Sequence, residues 1–252
     1  PFYGLAVLCL DNEPIQDLIP KITKRYTTYG MSSQADLQAK NIEFSGMKSK
    51  FTVYSMGQRL GKIHLNLPGV HNVSNSLASV AVGLELGIPF SSIKEALEIQ
   101  EGVQRRMEIK GEKKGVTVVD DYGHHPTEIK TTLQAAKESW PEHRLVVIFQ
   151  PHRYSRTQAL FDEFTRAFYQ SDVLVVLPIY PASEKPIAGV DSRKLFDSIV
   201  AHGHREAVFQ ENFDSASEFL TKSLKQNDIL LTLGAGDVYK LGELILKNLD
   251  DL

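Results

Sequence analysis

Val116-Thr117-Val118-Val119-Asp120-Asp121-Tyr122-Gly123-His124-His125-Pro126 is the stretch on which the fold turns. Its first four residues form an apolar, mostly β-branched run with the composition of a buried strand. Pro126 then opens a helical pattern from Thr127 to Trp140, and proline suits the first helical position. Two carboxylates, a phenol and two imidazoles are therefore expected in a strand-to-helix turn. In an open parallel sheet such a turn lies at the carboxyl edge, where ligands bind. A carboxylate before a helix often serves only as a cap, and a His-His pair is often only surface. Few caps, however, need so many titratable groups in one turn.

Downstream of this turn the pattern is regular. Strand-like runs at about 116–119, 145–149, 173–177, 206–209 and 229–233 alternate with helical patterns at about 126–139, 157–169, 192–202, 214–225 and 237–248. That alternation predicts a mostly parallel sheet with helices on both faces, a Rossmann-like α/β domain. Upstream, Gly4 to Leu10 reads as a buried strand. Asn12-Glu13-Pro14 starts a short helix to about Ile22, and Arg25 to Tyr29 reads as a second strand. From Ala35 to Leu67 the period changes to two. Phe51 to Tyr54 and Lys62 to Leu67 alternate apolar and polar around the turn Met56-Gly57-Gln58, which predicts a small antiparallel region with one wet face. After Pro68-Gly69, Val73, Leu77, Val80, Ala81 and Leu84 keep helical spacing. Gly87-Ile88-Pro89 ends that helix, and Ser91 or Ser92 is expected to cap the next one, to about Ile99. The polar stretch Lys110 to Gly115 follows, and a domain boundary is placed near Arg105, giving domains 1–105 and 106–252.

Bulk properties narrow the classes. The chain has 252 residues, enough for one large domain or two ordinary ones. With 42% hydrophobic and 23% charged residues it has the composition of a soluble globular protein. A net charge of -3 without a basic block gives no support for a nucleic-acid partner. The one cysteine, Cys9, lies in an apolar run and is expected as a buried thiol, which fits a reducing cytoplasmic setting. No apolar run reaches the length of a bilayer span, and no signal peptide is visible. The start at Pro1-Phe2-Tyr3-Gly4, without Met and directly before a strand, is the expectation for a piece of something longer.

Strand ends carry most of the unusual chemistry. Gln150-Pro151-His152-Arg153-Tyr154-Ser155-Arg156-Thr157 places Arg153 and Arg156 three apart around an expected helix start, a site for a carboxylate or phosphate. A solvated basic turn is the bland alternative. Tyr180 to Pro186 is a loop with one carboxylate, Glu184. Gly234-Ala235-Gly236-Asp237 has two glycines of a dinucleotide fingerprint but lacks the third, so a tight turn is the better reading. His71, Asn72 and Asn75 share the first turn of one helix. Asn is a poor helix former, so capping accounts for one of the pair and ligand contact for the other. Gly57-Gln58-Arg59-Leu60-Gly61-Lys62-Ile63 misses a P-loop by spacing, and Ile replaces the magnesium-binding hydroxyl.

His71-Asn72-x-x-Asn75, Arg106-Met107-Glu108, Asp120 to Pro126 and Gln150 to Arg156 occur in this order in the Mur ligases, which the chain resembles from end to end. The resemblance implies three domains in the family. One binds a UDP sugar, a central α/β domain binds ATP, and a Rossmann-like C-terminal domain brings the amino acid. This chain would hold the end of the central domain, with its small antiparallel region, and all of the last one. It would lack the P-loop and the upstream magnesium ligands, so none of its residues is assigned to a metal and it is expected to be inactive alone. The implied reaction is ATP-dependent amide formation through an acyl phosphate, with Mg2+. The last two blocks point to UDP-N-acetylmuramate and L-alanine as substrates, and a homodimer is compatible with the resemblance. By similarity His71, Asn72 and Asn75 would meet adenine, Arg106 phosphate or ribose, and Asp121 the ribose. Tyr122, His124, His152, Arg153 and Arg156 would line the amino-acid and acyl-phosphate side, with Arg106, Asp121, His124 and His152 as the catalytic set. Three rivals remain at this stage: another amide ligase of the same family, a non-catalytic nucleotide-binding module, and a metal-dependent hydrolase. The hydrolase would draw its ligands from Asp120, Asp121, His124, His125 and His152.

Overall fold

The computed structural model describes residues 3–249. Pro1 and Phe2, part of the opening block read above, lie outside the described residues. The chain divides into two compact units, Pro1–Gly102 and Val103–Leu252.

In the first unit β1 (Ala6–Cys9), α1 (Glu13–Leu18) with a 3-10 turn (Ile19–Lys21), β2 (Tyr26–Gly30), β3 (Leu37–Ser45), β4 (Lys48–Ser55) and β5 (Gln58–Leu65) precede α2 (Val70–Glu85) and α3 (Phe90–Glu98). The five strands form one sheet in chain order. β1, β2 and β3 pair in parallel, and β3, β4 and β5 pair antiparallel. The antiparallel region is thus the continuation of a mixed sheet rather than a separate patch. Alternation explains its core: Phe51, Val53, Ile63 and Leu65 point to one face and pack with Val73, Leu77 and Val80 of α2. Met56 and Gly57 take left-handed φ values of 46° and 79°, the backbone of a tight hairpin turn. The P-loop near miss is therefore the start of a hairpin strand.

Three expectations for this unit need correction. α3 starts at Phe90 directly after Pro89 and has no side-chain cap, so neither Ser91 nor Ser92 caps it. The rigid φ of Pro89, -57°, sets the entry, and its carbonyl already accepts the amides of Ser92 and Ile93. The N-cap of α2 is Gly69, so neither Asn72 nor Asn75 caps that helix. Cys9 is half-buried, because β1 is the edge of the sheet, and its Sγ lies 3.8 Å from Ser74 Oγ.

The second unit contains β6 (Glu108–Lys113), β7 (Val116–Asp121), α4 (Pro126–Ser139), β8 (Arg144–Phe149), α5 (Tyr154–Ala159), α6 (Phe161–Phe164), β9 (Val173–Val176), α7 (Ser192–Ala201), β10 (Ala207–Phe209), α8 (Phe213–Ser223), β11 (Asp228–Leu233) and α9 (Tyr239–Asn248). Strand order is β10-β9-β8-β11-β7-β6, parallel throughout except for β6. Val118, Val146, Ile148 and Leu230 of the sheet bury one face against Leu220 of α8 and Leu241 and Ile245 of α9. β11 returns between β7 and β8, so the chain reverses its order of strands there. Leu233 is in register with both Asp121 and Phe149, so the turns after β7, β8 and β11 stand side by side.

Here the expected α/β alternation is present, with two differences. The polar stretch Lys110 to Gly115, for which no strand is expected from the sequence, forms most of the edge strand β6 and its turn. Lys114 and Gly115, at φ 48° and 74°, close its hairpin with β7. Charged side chains suit an edge strand, since they discourage pairing with another chain. The helix expected over 157–169 starts earlier and is broken at Leu160, whose φ of -117° and ψ of 25° leave the helical region. Beyond the break Phe164 and Phe168 pack on Phe149, with ring centroids 5.6 and 4.8 Å away.

Candidate functional site

The residues expected at the site fall into two groups, one in each unit. In the first, α2 begins after Gly69, whose φ of 83° turns the chain into the helix without a side-chain cap. Asn72 Nδ2 donates to the Pro68 carbonyl at 2.7 Å, which fixes the amide against the preceding loop. His71 is half-buried and Asn75 exposed on the same first turn. Two amides offer both donors and acceptors, the pattern a heterocyclic base edge requires.

In the second unit the turns after β7, β8 and β9 bring Tyr122, His124, His152, Arg153, Arg156 and Tyr180 into one cluster. His125 is the N-cap of α4. Its Nδ1 accepts the Thr127 amide at 3.3 Å, and Glu128 completes a capping box by accepting the amides of His124 and His125. That leaves His124 facing the cluster. Its Nδ1 lies 2.9 Å from the Tyr122 carbonyl and its ring meets Tyr122 edge-on at 5.4 Å. The His152 ring is 5.9 Å from that of His124 and stacks on Tyr180 at 5.5 Å, with 9° between planes. Tyr180 is held by backbone hydrogen bonds in both directions, Tyr180 to Pro151 and Arg153 to Tyr180. Arg156 donates through Nη1 to His152 Nδ1 and to its carbonyl, both at 3.1 Å. Partial burial, then Arg156, His124 and Arg153, push the His152 pKa down from 6.5 to about 4, so its ring is neutral at neutral pH.

The expected anion site at the start of the helix after β8 is already used. Glu184 accepts the Ser155 amide at 3.0 Å and the Ser155 hydroxyl at 2.6 Å, and these bonds hold its carboxyl below the usual range. Arg153 lies 3.8 Å from the same carboxylate. α5 is also only six residues long, so its backbone dipole is not the source of anion affinity. What remains for an anion is the guanidinium of Arg156. Among the described residues its Nε and Nη2 make no hydrogen bond within the protein.

Asp121 is 3% exposed, and its carboxylate is already engaged. Oδ1 accepts the Gly123 amide at 2.7 Å and the Thr132 hydroxyl at 3.2 Å, while Oδ2 accepts the Met107 amide at 2.9 Å. Burial raises its pKa, and these donors with Arg106 oppose the rise. Arg106 itself is exposed, 3.6 Å from Glu128 and over the Tyr122 ring at 5.8 Å. The metal-ligand set proposed for a hydrolase is not assembled. Asp121 and His125 are spent as described, and Asp120 holds Arg105 and the Thr232 hydroxyl. Among the described residues no group of three or more His, Cys, Asp or Glu stands ready for a metal ion.

Arg105, read from sequence only as a boundary, is the tie between these turns. Its Nε bonds Asp120 at 2.9 Å, Nη1 the Gly236 carbonyl at 3.1 Å and Nη2 the Gly234 carbonyl at 2.7 Å. Its guanidinium also contacts the rings of Tyr122 and Tyr239 at 4.9 and 4.7 Å. The Gly234-Ala235-Gly236 turn is a tight packing turn: a Cβ on Gly236 would lie 2.5 Å from Gln150 Oε1 and 2.7 Å from the Tyr180 ring. The Arg105-Arg106 doublet was visible in the sequence. Which of the two faces inward depends on left-handed φ values at Arg105 and Met107, 59° and 48°, which no periodicity shows.

Comparison with known proteins gives a consistent result. A family model described as "Mur ligase, glutamate ligase domain" matches residues 105–236, and one described as "Mur ligase middle domain" matches residues 1–83. A relative from Desulforapulum autotrophicum, named UDP-N-acetylmuramate–L-alanine ligase, is 63% identical over 98% of this chain and 54% of its own length. One of the same name from Geobacter sulfurreducens is 49% identical over 100% of this chain and 54% of its own length. The chain spans about half the length of the curated relatives it matches. Among solved structures, the UDP-N-acetylmuramate-alanine ligase of Thermotoga maritima superposes with a TM-score of 0.75 at 31% identity, over 89% of this chain and 48% of the other. A murein peptide ligase from Psychrobacter arcticus shares the fold at TM-score 0.72 and 22% identity, over 100% of this chain and 52% of the other. Among the described residues no helix is long and apolar enough to cross a membrane.

Proposed function

The chain belongs to the Mur ligase family, and from that premise we propose that it supplies the closing part of the ATP site and the amino-acid site of a ligase joining L-alanine to UDP-N-acetylmuramate. In this reading residues 1–105 complete the central ATP-binding domain and 106–252 form the amino-acid domain of a cytoplasmic enzyme of peptidoglycan precursor synthesis. The muramyl carboxylate takes the γ-phosphoryl group of ATP, and the amine of L-alanine then displaces phosphate from the acyl phosphate. Such a reaction asks the protein mainly to position groups and neutralise charge.

The observation that carries the reading is Arg156, fixed against His152 with guanidinium donors to spare, beside the neutral His152, His124 and Tyr122 at one carboxyl edge. Such a fork suits the carboxylate of an amino acid or an acyl phosphate. His71, Asn72 and Asn75 would hold adenine, and Arg106, exposed beside Glu128, would meet phosphate or ribose. Asp121 would serve the site by fixing Met107 and Gly123, the residues on either side of the Arg106 and Tyr122 turns. Magnesium would neutralise the phosphates of ATP, and the reading assigns none of these residues to it.

Phosphate release tests the proposal. A ligase of the relatives' length that carries these residues should release phosphate from ATP only with UDP-N-acetylmuramate and L-alanine together. Release with a different amino acid in place of L-alanine would instead favour another amide ligase of the family. The 252 residues alone contain no P-loop motif and should release none.

A further inference from the structure

The two imidazoles of the cluster are hydrogen-bonded to partners of opposite kind. A carbonyl oxygen only accepts, so the 2.9 Å contact from His124 Nδ1 to the Tyr122 carbonyl requires a proton on Nδ1. In the neutral ring the lone pair is then on Nε2. A guanidinium only donates, so the 3.1 Å contact between Arg156 Nη1 and His152 Nδ1 requires a bare Nδ1. In the neutral His152 ring the proton is then on Nε2. Resting on the ligase reading above, we propose that the two histidines divide the amino-acid site by tautomer: His124 accepts a proton from the incoming amine at Nε2, and His152 donates Nε2–H to an oxygen of the substrate.

Surroundings support the division. His124 is faced by the edge of Tyr122, by His152 and by Glu128, whose Oε2 lies 3.6 Å from Nδ1. His152 is faced by Tyr180, Arg156, Arg153, His124 and Glu184, and its pKa of about 4 makes it a poor base but leaves a neutral donor. The step then balances. The ammonium of L-alanine gives one proton to His124 Nε2. The freed nitrogen lone pair forms the N–C bond to the acyl carbon, and the carbonyl π pair moves to oxygen near His152. Its return breaks the C–O bond to phosphate. The second proton leaves nitrogen for the departing phosphate, and His124 passes its proton to water.

Nitrogen-15 NMR of the imidazoles in the 252-residue chain at neutral pH tests the tautomers directly. His124 should show a protonated Nδ1 and a bare Nε2, and His152 the reverse. Equal tautomers, or a protonated His152 Nδ1, would overturn the proposal. In a ligase of the relatives' length, His124→Gln should lower kcat about 10²–10⁴-fold with little change in KM for ATP. His152→Ala should weaken the alanine terms roughly 10–150-fold, while His152→Gln, which retains an amide donor, recovers most of that loss. Unchanged kcat in His124→Gln, with the tautomers as stated, removes the base role. Phosphate release that does not depend on L-alanine refutes the ligase reading instead and leaves the tautomers standing.

Discussion

The two edges of the six-stranded sheet use charge in opposite ways. At the amino edge Arg144 places Nε and Nη2 on both oxygens of Asp228, at 2.9 and 2.6 Å, and Nη2 also reaches the Ser223 carbonyl. Asp228 further accepts the Lys225 amide, and Lys137 meets Asp172, which accepts the Leu145 amide. These contacts tie loops and a helix to the strand starts. At the carboxyl edge Arg156 and His152 hold each other through one nitrogen apiece and keep other donors for something else. Arg144 is bonded within the protein through Nε and Nη2, and Arg156 through Nη1 alone, so the two arginines differ in how much of the guanidinium fork is left open.

The comparison breaks first, and with the largest effect, at Asp228. It is 2% exposed, and removing one partner of a buried pair leaves the other charge uncompensated. Asp228→Ala is expected to cost about 3–5 kcal/mol in denaturant unfolding of the 252-residue chain. Arg156 is half-buried and hydrogen-bonded to His152, so Arg156→Lys should cost about 0.5–1.5 kcal/mol. A similar stability cost at both positions would show that the two edges do not differ as described.

A smaller effect separates the two adjacent histidines of the turn after β7. His125 is a helix cap, so His125→Ala should cost about 0.5–2 kcal/mol of stability while substrate terms hold steady. His124→Gln should do the opposite, and thermal unfolding with steady-state kinetics on both variants checks the contrast.

A further effect is a pH dependence. The folded His152 has its pKa lowered from 6.5 to about 4, so the unfolded chain binds this proton more readily. Stability conferred by the neutral ring is therefore complete above about 6.5 and declines as pH falls through the window down to about 4. His204, buried beside Ser171, is shifted the same way, so the readout is the difference between the parent chain and His152→Gln. The variant should show a shallower decline between those pH values, and an unchanged slope would contradict the burial assigned to His152.

Periodicity carried most of this fold. The alternation from residue 116 onward sufficed for the parallel sheet, and with it the carboxyl-edge placement of Tyr122, His124 and Arg156. What it missed depends on contacts far apart in the chain. β6 is an edge strand with one edge paired, and its polar composition carries no strand-like periodicity. The break at Leu160 lies between a turn fixed by Glu184 and phenylalanines packed on Phe149. Arg105 reaches carbonyls at Gly234 and Gly236 that no local window contains. The capping box was a nearer signal, since Glu128 stands three residues after His125. An imidazole in place of the usual hydroxyl or carboxyl cap concealed it.

The central claim is that the carboxyl edge of the second unit, through Arg156, holds the amino acid. A lysine keeps the charge but cannot reproduce a guanidinium fork. The direct measurement is KM and kcat for L-alanine and KM for ATP in a ligase of the relatives' length carrying Arg156→Lys, with its fold checked by circular dichroism. A charge-assisted contact contributes about 1.5–3 kcal/mol, so the alanine KM should rise or kcat fall by roughly 10–150-fold while the ATP KM holds. A rise in the ATP KM with the alanine terms unchanged would contradict the account.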